Sequence, residues 1–82
     1  MTMVAPEQVK IWIEEGLSGS TADVVGDGRH FEAIVVCSDF AGKSMLEQHR
    51  MVYGGLGDKM DETIHALSLR TYTPEQWSNQ SS

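Results

Sequence analysis

Two histidines stand where a small protein could offer ligands to a metal. His30 begins the most apolar segment of the chain, and His65 begins a later segment in which apolar and polar residues alternate. Neutral imidazole is a good ligand for zinc, copper or iron. Two protein ligands do not complete a tetrahedral site, so a metal bound here would take its other ligands from a second molecule.

A structural role is the alternative for both histidines, because imidazole at a strand end also pairs with water or backbone. His49 falls on the apolar side of a predicted helix, and we expect it to be packed and hydrogen-bonded, not a ligand. Cys37 ends an apolar strand and is expected to be a small buried hydrophobe, not a reactive thiol. No nucleophile or acid–base set stands out, so no enzymatic activity is expected.

The pattern of apolar residues predicts the elements that would position these histidines. The continuous apolar run 30–37 predicts a central strand, and Asp27-Gly28 before it favours a tight hairpin turn. Clean alternation predicts a strand over 64–72. A capping box, Ser44 to Glu47, begins the helix between these strands. The remaining predicted elements are a helix over 5–15, an edge strand over 21–25 and a short helix that carries Trp77.

The order α-β-β-α-β-α predicts an α+β fold, a three-stranded mixed sheet covered by helices on one face. The last two strands would be parallel, joined by a right-handed crossover. Parallel strands begin at the same sheet edge, so His30 and His65 could lie near one another. On the crossover helix, helical spacing predicts an apolar face of Met45, His49, Val52 and Leu56, with Met60 beyond them.

Length and charge limit what the chain can do. Its 82 residues are expected to form one domain, 1–82, with loose ends at 1–4 and 78–82. The formal net charge is -6, which disfavours nucleic acid and acidic membranes as main partners. Four basic residues remain candidates for a local nucleic-acid surface: Lys43, Arg50, Lys59 and Arg70. The spacing of Gly54 and Gly57 also fits the G-x-x-G of a KH domain, although Asp58 flanks it.

One cysteine excludes an internal disulfide and fits a reducing compartment, so the cytoplasm is the expected location. The first twenty residues hold no uninterrupted apolar run, so neither a signal peptide nor a membrane span is expected.

Five motifs, in order, resemble the BolA family. They are Gly26-Asp-Gly-Arg-His30-Phe31, Phe40-x-Gly42-x-Ser44, His49-Arg50-x-Val52-Tyr53-x-x-Leu56, Ile64-His65-Ala66-Leu-Ser68-Leu and Tyr72-Thr73-Pro74-x-x-Trp77. Together they span residues 24–77, and the turn motif is most similar to the IbaG-like bacterial branch.

The resemblance implies a class II KH-like fold and a non-catalytic partner of monothiol glutaredoxins. In that heterodimer a glutaredoxin cysteine and glutathione would hold part of a [2Fe-2S] cluster, and the BolA-like chain would add histidines. Those positions fall on His65, at the start of the last strand, and on His30, near the first turn. The resemblance also implies an alternative, a DNA-binding regulator linked to stress or cell morphology. Homodimerisation through a sheet edge stays open.

Overall fold

The computed structural model describes residues 4–57 and 66–81. Among them are three α-helices and three strands, with a single 3-10 turn at Ser38–Phe40. In chain order the elements are α1 (Pro6–Gly16), β1 (Ser20–Gly26), β2 (His30–Cys37), α2 (Met45–Leu56), β3 (Ala66–Tyr72) and α3 (Pro74–Ser81). The predicted bounds of β2 are confirmed to the residue. α3 continues through 78–81, where a loose end was predicted.

The strands form one mixed sheet in the order β1-β2-β3. β1 pairs with β2 in antiparallel fashion, and β2 pairs with β3 in parallel. The hairpin turn between β1 and β2 places Gly28 at φ 99°, a conformation that glycine adopts without steric cost. The predicted fold, a three-stranded mixed sheet with an α+β order, is confirmed.

The core lies on the face of the sheet that α1 and α2 cover. Every second residue of β2 points into it, from Phe31 to Cys37. The helices contribute Val9 and Ile13 from α1 and Val52 and Leu56 from α2, all at most 1% exposed. This face therefore holds the one continuous apolar cluster of the described residues.

α3 departs from the prediction that the helices share one face. Its Trp77 ring lies 5.4 Å from the Tyr72 ring and lines a surface cavity with Ile34 and Val36. Ile34 and Val36 alternate with the core residues of β2, so they point to the opposite side of the sheet. The single-face arrangement therefore holds for α1 and α2 only. α3 packs through Trp77 against Tyr72, whose side chain lies on the same face of the sheet as its register partner Val36.

A pair of glycines lets α1 and α2 approach closely. A methyl group built on Gly55 would lie 2.9 Å from the carbonyl carbon and oxygen of Gly16. Gly57 has φ 57° and ends α2, and its N–H donates to the carbonyl of Tyr53 at 2.9 Å. Gly54 has no neighbouring atom within 4 Å of such a methyl group. Close backbone contact therefore explains Gly55, and helix termination explains Gly57.

The predicted inward face of α2 is confirmed at Val52 and Leu56, which are buried, and His49 is half-buried. It is wrong at Met45, the first residue of the helix, which is 70% exposed. Met60 lies outside the described residues. Gln48 is buried beside Val52, and its amide donates to the carbonyls of Phe40 and Lys43 at 3.2 and 3.0 Å. Because these bonds satisfy its polar atoms, a glutamine can occupy this inward position.

Side-chain hydrogen bonds also cover part of the outer edge of β1. Glu14 accepts the backbone N–H of Ala22 at 2.9 Å and is paired with Lys10. The hydrogen bond from Lys10, followed by that from Ala22, lowers the pKa of Glu14. The backbone N–H of Ala22 is therefore not available to pair with another strand. Within the described ranges, no helix has the length and apolar character needed to cross a bilayer.

Candidate metal centre

The turn before β2 fixes the backbone of His30. One carboxylate oxygen of Asp27, Oδ1, accepts the backbone N–H groups of Arg29 and His30, both at 2.9 Å. The backbone N–H of Asp27 donates in turn to the carbonyl of His30 at 3.2 Å. Three hydrogen bonds therefore close this turn, and they fix the backbone of His30 at the start of β2.

The imidazole of His30 is open to solvent, with 74% of the side chain exposed. Its Nδ1 lies 4.0 Å from Oδ2 of Asp27. This separation is longer than a hydrogen bond, so Asp27 does not fix the orientation of the ring through a direct bond. The hydrogen bonds from His30 N–H and then Arg29 N–H lower the pKa of Asp27, so its carboxylate is ionised near neutral pH. Asp27 was not among the site residues predicted from sequence, although its place three residues before a histidine in a turn was a visible signal.

The parallel pairing of β2 and β3 brings the start of β3 to His30. Ala66 is the register partner of His30, and its N–H donates to the carbonyl of Arg29 at 3.2 Å. His65, which precedes Ala66 in the chain, lies outside the described residues, so its ligand role stays a prediction. Across residues 4–57 and 66–81, no three His, Cys, Asp or Glu side chains come together as a metal site. A metal held at His30 would accordingly need ligands from elsewhere.

Cys37 and His49, for which structural roles were predicted, are both at least partly buried. Cys37 is fully buried, and its Sγ lies 4.0 Å from the carbonyl oxygen of Ser18. The prediction of a small buried hydrophobe at Cys37 is confirmed. His49 is half-buried on α2, in agreement with a packed side chain.

Three of the four basic residues predicted from sequence, Lys43, Arg50 and Arg70, are described, and they do not lie on one surface. Lys43 and Arg50 are exposed at the start of α2, on either side of Glu47. Hydrogen bonds from Ser44, with smaller contributions from the charges of Lys43 and Arg50, lower the pKa of Glu47.

Arg70 points to the opposite side of the sheet, because its neighbour Thr71 bonds to α2. There it lines a cavity that Asp23 and Glu32 also line. Lys59 lies outside the described residues.

Comparison with known proteins places these features in a family. A family model described as "BolA-like protein" matches residues 2–76. The acid stress protein IbaG of Escherichia coli K12 is 37% identical over 71 residues, which cover 85% of this chain and 84% of IbaG. The DNA-binding transcriptional regulator BolA of the same strain is 40% identical over 52 residues, covering 63% of this chain and 50% of the regulator. The chain thus matches only about half the length of that regulator.

A solved structure shows the same fold. The bolA protein homologue from Coxiella burnetii is 51% identical and superposes with a TM-score of 0.90. The match covers 93% of this chain and 99% of that protein.

Proposed function

This chain belongs to the BolA-like protein family, and on that premise we propose that it is a non-catalytic iron–sulfur adaptor. In this proposal it pairs with a monothiol glutaredoxin in the cytoplasm and adds histidine ligands to a shared [2Fe-2S] cluster. A glutaredoxin cysteine and glutathione supply the remaining ligands. The cluster is cargo. The adaptor takes part either in transfer of the cluster or in the sensing of iron.

The observation that carries the proposal is the solvent-exposed imidazole of His30 at the sheet edge where β3 begins. Its register partner Ala66 is the residue that follows His65 in the chain. We assign the second histidine ligand to His65 on this position in the sequence.

Histidine ligation would suit an adaptor. Replacing thiolate by imidazole raises the reduction potential of a [2Fe-2S] cluster, as in Rieske centres. Imidazole ligation also depends on pH, because a protonated ring cannot bind iron. A cluster held in this way is expected to leave more readily than one held by four thiolates.

Anaerobic co-purification with a monothiol glutaredoxin tests the proposal. The visible absorption and circular dichroism of the wild-type complex should differ from those of the glutaredoxin homodimer with its cluster. His65→Ala should remove or shift that signal, and His30→Ala shows whether His30 is a second ligand. His49→Ala is the matched control, because this histidine is half-buried on α2. An unchanged cluster spectrum in His65→Ala would contradict the proposal.

The second candidate is a DNA-binding regulator. The name of the E. coli relative supports it, together with two exposed cations, Lys43 and Arg50, at the start of α2. The net charge of -6 and the separate position of Arg70 weigh against it. Phosphate contacts give a steep negative slope of log K against log salt concentration. A flat salt response of duplex binding would reject this candidate.

A further inference from the structure

The polarity of α2 is inverted at its first two turns. The polar side chain of Gln48 is 9% exposed, whereas Met45 is 70% exposed and Leu46 is 60% exposed. An amphipathic surface helix normally places its apolar side chains toward the core and its polar ones toward water. The hydrogen bonds of Gln48 explain why it lies inside, but no core contact among the described residues explains the two large apolar side chains outside.

These apolar side chains belong to one surface of the helix. At 3.6 residues per turn, Leu46, Arg50 and Tyr53 fall within about 60° of one another around the helix, and Met45 is exposed beside them at its N-terminal end. Tyr53 is 37% exposed. We call this the α2 outer surface and define it as Lys43, Met45, Leu46, Arg50 and Tyr53. Over eight residues it extends about 12 Å along the helix.

The charge of the α2 outer surface is opposite to that of the whole protein. It carries Lys43 and Arg50, two of the six Lys and Arg residues in a chain of net charge -6. Glu47 lies between these two cations in the chain and accepts the N–H of Ser44 at 3.2 Å, and the charges of Lys43 and Arg50 contribute to its lowered pKa. A partner that meets this surface therefore encounters exposed apolar side chains beside two cations.

This surface lies far from the candidate metal centre. Gln48, on the same turns of α2, accepts a hydrogen bond from Thr71, which is five residues beyond Ala66 along β3. At about 3.3 Å per residue, this is about 17 Å along the sheet from the level of His30. The α2 outer surface thus lies toward the opposite end of β3 from His30.

We propose that the α2 outer surface is a second docking site, and that its partner is a protein segment presenting apolar side chains together with carboxylates. Apolar contact with Met45, Leu46 and Tyr53 would supply most of the affinity. Carboxylates beside Lys43 and Arg50 would fix the orientation of the segment and exclude basic competitors. The proposal does not depend on cluster binding, and it would give the protein one partner at each end of the sheet.

Other occupants fit the surface less well. A second copy docked through the same surface would bring Lys43 and Arg50 of both copies together, and like charges repel. An anionic membrane would be repelled by the net charge of -6. Duplex DNA would use Lys43 and Arg50 but would leave Met45 and Leu46 without apolar partners.

NMR titration of the ¹⁵N-labelled protein tests the proposal with two synthetic peptides. Both carry leucine at helical spacing, and their charged positions are all Glu in one and all Lys in the other. The Glu peptide should shift amide signals of residues 43–53 and bind with a Kd below about 1 mM. The Lys peptide should bind at least tenfold more weakly.

Three variants complete the test. The double variant Met45→Gln/Leu46→Gln and the double variant Lys43→Glu/Arg50→Glu should each weaken binding of the Glu peptide at least tenfold. Val25→Gln is the control, because Val25 is 64% exposed on the far side of the sheet. It should leave the Kd unchanged. Equal binding of both peptides, or shifts outside 43–53, would overturn the proposal.

The same signals separate the alternatives. Concentration-dependent shifts of 43–53 without peptide would indicate a second copy and overturn the proposal. Shifts on adding duplex DNA that respond to Lys43→Glu/Arg50→Glu, with no binding of the Glu peptide, would overturn it in favour of nucleic acid. In the glutaredoxin assay both double variants should retain the cluster spectrum. The cluster spectrum therefore tests the proposed cluster function, and the peptide titration tests the proposed docking site. Either proposal can fail without the other.

Discussion

The hydroxyl group of Thr71 donates a hydrogen bond of 2.6 Å to Oε1 of Gln48, and this bond joins β3 to the buried side of α2. The same amide donates to the carbonyls of Phe40 and Lys43, in the segment that leads into the helix. One side chain therefore ties a strand, a loop and a helix together. It also sets the rotation of α2, and with it the side chains that stay outside.

Gln48→Ala should destabilise the protein by about 1–3 kcal/mol, because a buried carbonyl and the Thr71 hydroxyl lose their partner. Urea unfolding measures the change in the free energy of unfolding. Thr71→Val is the matched control, since it removes only one of the three bonds, and it should cost about 1 kcal/mol. Equal losses in the two variants would show that the bonds to Phe40 and Lys43 contribute nothing.

Gly16→Ala should destabilise the protein by about 1–3 kcal/mol, because the new methyl group would meet the backbone of Gly55 and push α1 from α2. Thermal unfolding followed by circular dichroism measures this. Gly54→Ala, one residue before Gly55, should instead stabilise by up to about 1 kcal/mol, because its methyl group has open space and alanine favours the helix. A stable Gly16→Ala protein would mean that the helices are not in close contact.

The turn before β2 should weaken in acid. Backbone N–H groups of His30 and then Arg29 lower the pKa of Asp27 in the folded protein, so folding favours the ionised carboxylate. Its contribution to stability is therefore complete above the ordinary pKa of about 4 and is lost as the pH falls through the lower folded-state value. The difference in stability between wild type and Asp27→Ala should shrink between about pH 6 and about pH 2.

Asp27→Asn is the control for this pH effect. Its amide oxygen still accepts hydrogen bonds but does not ionise, so the difference in stability between the Asn and Ala variants should not change over the same range. A wild-type advantage that persists unchanged in acid would contradict the role given to the Asp27 carboxylate. Urea unfolding at several pH values provides both measurements.

His30→Ala should leave the fold intact. The side chain is 74% exposed and lies outside the apolar core, so Tm should stay within about 3 °C of the wild type. Circular dichroism of the isolated protein checks this before any cluster assay. A large fall in Tm would mean that an altered cluster signal in this variant reports folding instead of ligation.

The sequence by itself determined the local elements. The apolar run from His30 to Cys37 was long enough to define β2, because a central strand covered on at least one face is rich in apolar side chains. The capping box is confirmed in both directions between Ser44 and Glu47. The Asp-Gly turn, the parallel crossover and the BolA resemblance also followed from residue types and their order. These features depend on neighbours in the chain, so the sequence contains what is needed to predict them.

Only the tertiary structure decided which way α2 and the ends of the sheet face. Gln48 is buried although it is polar, because the carbonyls that satisfy its amide group come from a loop and its third partner from β3. Arg70 lies on the same face of the sheet as Asp23 and Glu32 because β3 alternates about a register that pairing with β2 sets. Contacts between distant segments fix these orientations, and no pattern of nearby residues contains them.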